Sequence, residues 1–296
     1  MKIEQITYHG WEHCYRLTDG RVELIVVADI GPRIISFRRL DSANILKEFP
    51  NALGLTGGNQ WRIYGGHRFW HAPEYPQRSH YPDNAPVQVD HKKRTLVLKP
   101  PLQDNIQKEL EISLNSDSSV GLKHTLINQT VWDIEIAPWA LTVMANDGTA
   151  IIPLPDALSH TECVTPVNSL SLWSYTNLAD PRWTWQPDRI LVKQDPALLH
   201  PQKIGVRVTK GWLGYVHPTG FFVKTFEYHP CATYPDFGAS VEIFVDGNIL
   251  ELETLGPLVR LAPGESTIHT ERWMLHEPLS DIDKIPMETL PSLDKV

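Results

Sequence analysis

Cysteine is scarce in this chain of 296 residues: Cys14, Cys163 and Cys231 are far apart and odd in number. That excludes a disulfide framework or a paired-cysteine zinc site and fits reduced thiols. Long apolar runs are missing, so no membrane span is expected. The opening, MKIEQITYHGWEHCYRL, lacks the basic start and apolar stretch of a secretory signal. Basic residues are the minority, 27 against 35 acidic, giving a net charge of −8. Binding nucleic-acid phosphates needs a basic face, which this balance does not offer. No glycine-rich phosphate loop, internal repeat or dividing linker is visible. The expectation is a soluble, cytoplasmic protein that acts on neither nucleic acid nor membrane; oligomeric state is not legible.

Punctuation, by contrast, is abundant. Twenty-four prolines and eighteen glycines interrupt the chain too often for long helices. Between them lie short β-branched runs, among them RVELIVVAD (21–29), RIISFRRL (33–40), VGLKHTLIN (120–128), IGVRV (204–208), FFVKTFEY (221–228), SVEIFV (240–245) and NILELETL (248–255). Many alternate as half-buried strands do, which predicts an all-β sandwich or barrel. One domain is expected over residues 1–280, with an irregular tail over 281–296. Asp246-Gly247 reads as a two-residue hairpin turn, pairing Ile243 with Leu250 and Val241 with Leu252 on the core side. The opposite side then gathers Glu242, Glu251 and Glu253, whose like charges need a cation or a shared proton. Lys224, in an aromatic row with Phe222 and Phe226, is a candidate for that cation.

The least regular stretch is GGHRFWHAPEYPQRSHYPDN (65–84), crowded with polar and aromatic side chains and lacking any strand or helix period. Three readings stand side by side. His67, His71 and Glu74 have the spacing of a metal site on a helix, although Pro73 and Pro76 oppose a helix there. The segment can be a structural loop satisfying buried carbonyls. Or it can bind a polar ligand: His, Arg, Glu, Asp and Trp supply the bidentate groups and flat apolar faces that a sugar needs, with Gly65-Gly66 letting the backbone approach.

Four motifs resemble the galactose mutarotase-like superfamily, which includes aldose 1-epimerases and hexose-6-phosphate epimerases. GPRIISFRR (31–39) is similar to the early strand whose arginine faces the sugar, which makes Arg33 the counterpart. GGHRFWHAPE (65–74) resembles the region supplying the first substrate-binding histidine. HTLINQT (124–130) resembles a strand end of the family, and LETLGPLVRLAPGE (252–265) resembles the strand and turn that carry its catalytic glutamate, here Glu253. The resemblance implies a large antiparallel β-sandwich with a concave ligand face, covering about residues 10 to 276. It implies Glu253 as the catalytic base and Arg33 as a substrate-binding residue, with a first substrate-binding histidine from residues 65–74. The long loop offers His67, or else His71, as the catalytic acid, and residue chemistry adds Arg68, His71, Glu74, Trp139 and Lys224 as candidate substrate-binding residues. The chain departs from the family in IAPWALTVM (136–144), where Trp139 stands near the usual second histidine. Tryptophan does not titrate and cannot replace a histidine acid.

The activity so implied is anomer interconversion of a small carbohydrate, with acidic and phosphorylated sugars among the candidates, by acid–base ring opening, with no metal and no cofactor. Two alternatives remain open: a sugar-recognition module without turnover, and a lyase or hydrolase acting on an acidic sugar, with or without a metal. Trp173, Trp183 and Trp185 read either as a sugar platform or as packing for a long loop.

Overall fold

The computed structural model describes residues 2–279 together with Ile282 and Ile285. The tail expected over 281–296 lies outside the described residues apart from those two isoleucines. The chain folds as a large antiparallel β-sandwich of an eleven-stranded and a ten-stranded sheet. The core between the sheets is aliphatic, with an aromatic knot where Phe222 meets Trp273 edge to face at 5.4 Å and Phe37 meets both. No helix among the described residues is long and apolar enough to cross a membrane, and the three cysteines are unpaired.

The alternating runs became strands as expected, including Arg33–Arg39, Val120–Asn128, Gly220–Phe226, Val241–Val245 and Leu250–Leu255. Two expectations changed. The hairpin register is displaced by two residues: Ile243 pairs with Leu252, Val245 with Leu250 and Glu242 with Glu253. Neither Asp246 nor Gly247 takes a positive φ. Instead the Asp246 carboxylate accepts the backbone N–H groups of Asn248 and Ile249, both at 2.6 Å, and closes a four-residue turn. Because the displacement is even, every side chain keeps its face.

The second change concerns residues 65–84. His67–Ala72 is a strand, buried along its whole length, between Arg33–Arg39 and Ile134–Val143. It shows no alternation because both of its faces are covered, one by the second sheet and the other by loops bearing Trp61. Gly65 and Gly66 serve this packing. A Cβ at either would fall 2.1 Å from a backbone carbonyl oxygen, that of Lys47 or Ile34 respectively. The close approach is to neighbouring chain segments.

Candidate functional site

Strand register places the polar residues of the eleven-stranded sheet on two faces. Across the outer face runs one row of directly paired positions, Arg33–Arg68–Leu141–Glu253–Glu242–Gly205. Flanking rows on that face bring up Trp70 and Trp139 on one side, Glu251 and Lys203 on the other. The inner face, turned to the second sheet, carries His67, Thr142, Leu252 and Ile243 in one row and Thr254 in the next.

The outer cluster centres on Glu253, which has no exposed surface. Trp139 Nε1–H donates to Glu253 Oε2 at 2.8 Å, and Lys203 Nζ donates to the same oxygen at 3.2 Å and to Glu242 Oε2 at 2.7 Å. The Lys203 ammonium also lies over the rings of Trp139 and Trp173, at 4.7 and 4.9 Å. Arg68 binds Glu251 Oε1 at 2.7 Å and stacks 4.5 Å from the Trp70 ring centre. Gly205 lets the cover close: a Cβ there would meet Ala239 at 2.8 Å and Ser171 at 3.1 Å.

Four buried polar atoms of this cluster have no partner: Glu253 Oε1, Glu242 Oε1, Arg68 Nε and Trp61 Nε1. Such orphans are uncommon, because each costs desolvation free energy without compensation. Burial raises the Glu253 carboxyl above its ordinary range, with Glu251 adding and Lys203 and Arg68 opposing. Burial likewise raises Glu242, opposed by Lys203 and helped by the Glu253 and Asp236 carboxyls. Burial works against the Lys203 charge, but Glu253 and Glu242 outweigh it and hold that amine raised.

The inner cluster is built differently. Lys224, fully buried, pairs with Glu271 at 3.0 Å and donates to Thr142 Oγ1 at 2.6 Å. His124 Nδ1 faces the His269 carbonyl at 3.1 Å and so must carry its proton there. Its Nε2 then accepts from His67 Nε2–H at 2.9 Å, and His67 Nδ1 accepts from the Thr142 hydroxyl at 2.9 Å. On the other flank, the Thr254 hydroxyl donates to Glu271 and accepts from His269 Nε2–H at 2.8 Å, while Trp273 Nε1–H donates to Glu271 Oε2 at 2.8 Å. None of these side chains has a buried nitrogen or oxygen without a partner.

Burial holds all three histidines neutral, pushing His124 to about 4 and His269 to about 3, and His67 well below its usual value. Burial alone would raise Glu271; Lys224 and the three histidines hold it well below the usual carboxylate range. Ligand atoms of His67, His124 and Glu271 lie within 4.8 Å of one another. The Lys224 ammonium already answers the single negative charge there, so a divalent ion would leave two uncompensated positive charges buried. These residues do not fit a metal.

Of the eight residues singled out from sequence, the structure unites Glu253, Arg68 and Trp139. Arg33 shares their face but is enclosed, donating to Gly65 O at 2.7 Å and paired with Asp83. Glu74 is half-exposed beyond the strand end, 2.8 Å from His80 Nε2; His80 in turn lies against the Trp70 and Trp61 rings. His67, His71 and Lys224 point to the inner face, so the acid role expected of His67 opposite Glu253 has no geometric basis. The cause is strand parity: residues 67, 69 and 71 share one side and 68, 70 and 72 the other. His67, His71 and Glu74 do not converge, since the segment is extended where metal binding needed a helix. His71 is buried with neither ring nitrogen partnered, and burial, then Lys108 and Arg78, push it to about 3. The cation beside the glutamates is Lys203. Its signal lay in QKIGV (202–206), where Lys203 and Gly205 alternate with core residues Ile204 and Val206.

No family profile and no curated protein matches the chain by sequence. Solved structures do match. One is a protein from Synechocystis sp. PCC 6803, with TM-score 0.60 and 12% identity over 93% of this chain and 99% of that one. A galactose mutarotase-like protein from Lactobacillus casei follows, with TM-score 0.56 and 10% identity over 89% of this chain and 100% of the other. An aldose epimerase homologue from C. elegans gives TM-score 0.53 and 9% identity over 89% and 98%. The fold is that of galactose mutarotase-like proteins, at a distance where sequence says little.

Proposed function

We propose that the outer-face cluster binds a carbohydrate and interconverts its anomers, as an aldose 1-epimerase-like enzyme does. The observation that carries this reading is the set of orphaned atoms around Glu253. Carboxylate oxygens without donors and guanidinium and indole N–H groups without acceptors are what sugar hydroxyls, which both donate and accept, would satisfy. Trp70, Trp139 and Trp173 supply flat apolar faces for the sugar C–H groups. Entry requires the covering side chains, Trp173 against Lys203 and Gly205 among them, to move.

In this mechanism Glu253 is the base. It takes the proton of the anomeric hydroxyl while an acid protonates the ring oxygen. The C1–O5 bond breaks, the aldehyde rotates about C1–C2, and closure on the other face returns both protons. The two reacting oxygens are bonded to the same carbon, so acid and base need stand only a few ångströms apart. Glu242, the direct cross-strand partner of Glu253 and a carboxyl that burial also raises, meets that requirement. It takes the acid part for which the sequence had offered His67 or His71.

The test is proton NMR with reducing sugars, uronates and sugar phosphates, reading saturation transfer for binding and α/β exchange for catalysis. Exchange should vanish in Glu253→Gln and fall at least a hundredfold in Glu242→Gln, with saturation transfer retained. Full exchange in Glu253→Gln would refute the assignment. A second reading, recognition without turnover, draws support from Trp139, whose N–H occupies Glu253 where a titratable acid would be useful. Saturation transfer without exchange for every sugar would favour it.

A further inference from the structure

Apart from the outer cluster, two residues with an unpartnered buried oxygen, Asp83 and Gln103, line a cavity of about 370 Å³. Its volume falls in the range of small-molecule pockets, roughly 300–1,000 Å³. Three loops enclose it: one with Gly57 and Gly58, one with Tyr81 and Asp83, and one with Gln103. Gln103 is 7% exposed, and its Oε1 has no hydrogen-bond partner. Asp83 Oδ1 is equally buried and unpartnered, while its other oxygen pairs with Arg33.

The walls are held firmly. Gly31 N–H donates to Asp83 O and Gly57 N–H to Asn84 O, both at 2.8 Å. The Asn84 side chain accepts from the Tyr64 hydroxyl at 2.9 Å and donates to Gln60 O at 2.8 Å. These bonds hold the Asp83 loop in place, while no hydrogen bond holds the Gln103 side chain, which can turn its amide towards a ligand.

We propose that this cavity is a second ligand site, for a neutral polyhydroxylated molecule such as a sugar or cyclic polyol. The Asp83 oxygen is an acceptor and the Gln103 amide offers an acceptor and a donor, a set that hydroxyl groups, which donate and accept, can answer. A metal cation also seeks oxygen, but Arg33 is bonded to the same Asp83 carboxylate, and the buried Lys108 ammonium is electrostatically coupled to it. Those two positive charges disfavour a further cation and leave hydroxyl groups as the matching donors. The ring of Tyr81, 40% exposed, and the prolines at 82, 100 and 101 offer apolar surface to C–H groups. The site is independent of the reading given to Glu253.

The test is a titration of the full ¹⁵N-labelled chain with myo-inositol, which has no anomeric carbon, and separately with D-glucose, following backbone amides. Saturable shifts are expected at Gly57, Gly58 and Ala85 with at least one probe. They should weaken at least tenfold in Gln103→Leu, whose thermal midpoint should not fall, because an unsatisfied amide is replaced by an apolar group. Tyr81→Ala, a change at a half-exposed side chain, should weaken them severalfold and serves if Gln103→Leu fails to fold. Both effects should persist in Glu253→Gln, which separates this site from the outer cluster. Amides that do not respond to either probe, or shifts indifferent to both cavity variants, would overturn the proposal.

Discussion

One sheet carries two buried polar clusters on its opposite faces, and they differ in completeness. On the inner face each polar side chain around Glu271 has its partners, and the hydrogen-bond directions are forced in sequence from Lys224 through Thr142, His67 and His124 to the His269 carbonyl. On the outer face the same density of charge leaves Glu253, Glu242, Arg68 and Trp61 with unpartnered atoms. A closed network specifies packing and gains nothing from a ligand. An open one holds free energy that only a further group can recover. Burial alone would not separate them, since residues of both clusters are inaccessible.

The largest effect should come from breaking the closed network. Glu271→Leu strands the Lys224 charge and should lower stability by about 3–5 kcal/mol, measured by urea unfolding. Adding Lys224→Met to it should recover most of that loss. If the single variant is as stable as the parent, the inner cluster is not the closed unit described.

The two faces should also respond oppositely to pH. The inner histidines titrate in the unfolded chain near 6.5, whereas folding lowers His124 to about 4 and His269 to about 3. Below pH about 6.5 the unfolded state holds more protons, so stability falls on acidification by about 1.4 kcal/mol per pH unit for each histidine so held. The raised Glu242 and Glu253 act the other way: what they contribute is present below their unfolded value of 4.5 and is lost as pH rises through the folded one. Glu242→Gln should therefore steepen the loss between pH 6.5 and 4.5 in urea unfolding. A flat profile for the parent over that range would contradict the account.

A smaller change probes the outer face. Trp139→Phe removes one donor to ionised Glu253, so the base becomes harder to ionise. The acidic limb of kcat/KM for anomer exchange should move up by about one pH unit. An unmoved limb would mean that Glu253 does not titrate as the base.

Much of this was legible from the sequence. Alternation in VGLKHTLIN and VEIFV, and the short β-branched run VELIVV, gave strands, and parity placed Glu242, Glu251 and Glu253 off the core even though the true register differs from the expected one by two residues. His67–Ala72 was hidden for a physical reason. A strand buried on both faces need not alternate apolar with polar residues, and this one sets polar groups on each side: His67 inward to Thr142 and His124, Arg68 outward to Glu251. Which lysine meets the glutamates was equally hidden, since that depends on strand order: Gln202–Val206 lies beside Val241–Val245, whereas Gly220–Phe226 belongs to the other sheet.

The most direct measurement compares the two faces in one experiment: the α/β exchange rate per folded molecule, by NMR, for the parent, Glu253→Gln and His67→Gln. The account predicts that Glu253→Gln keeps its thermal midpoint within a few degrees and loses exchange, while His67→Gln melts earlier and exchanges at the parental rate. Exchange that survives in Glu253→Gln but disappears in folded His67→Gln would contradict it, and would move the chemistry to the inner face.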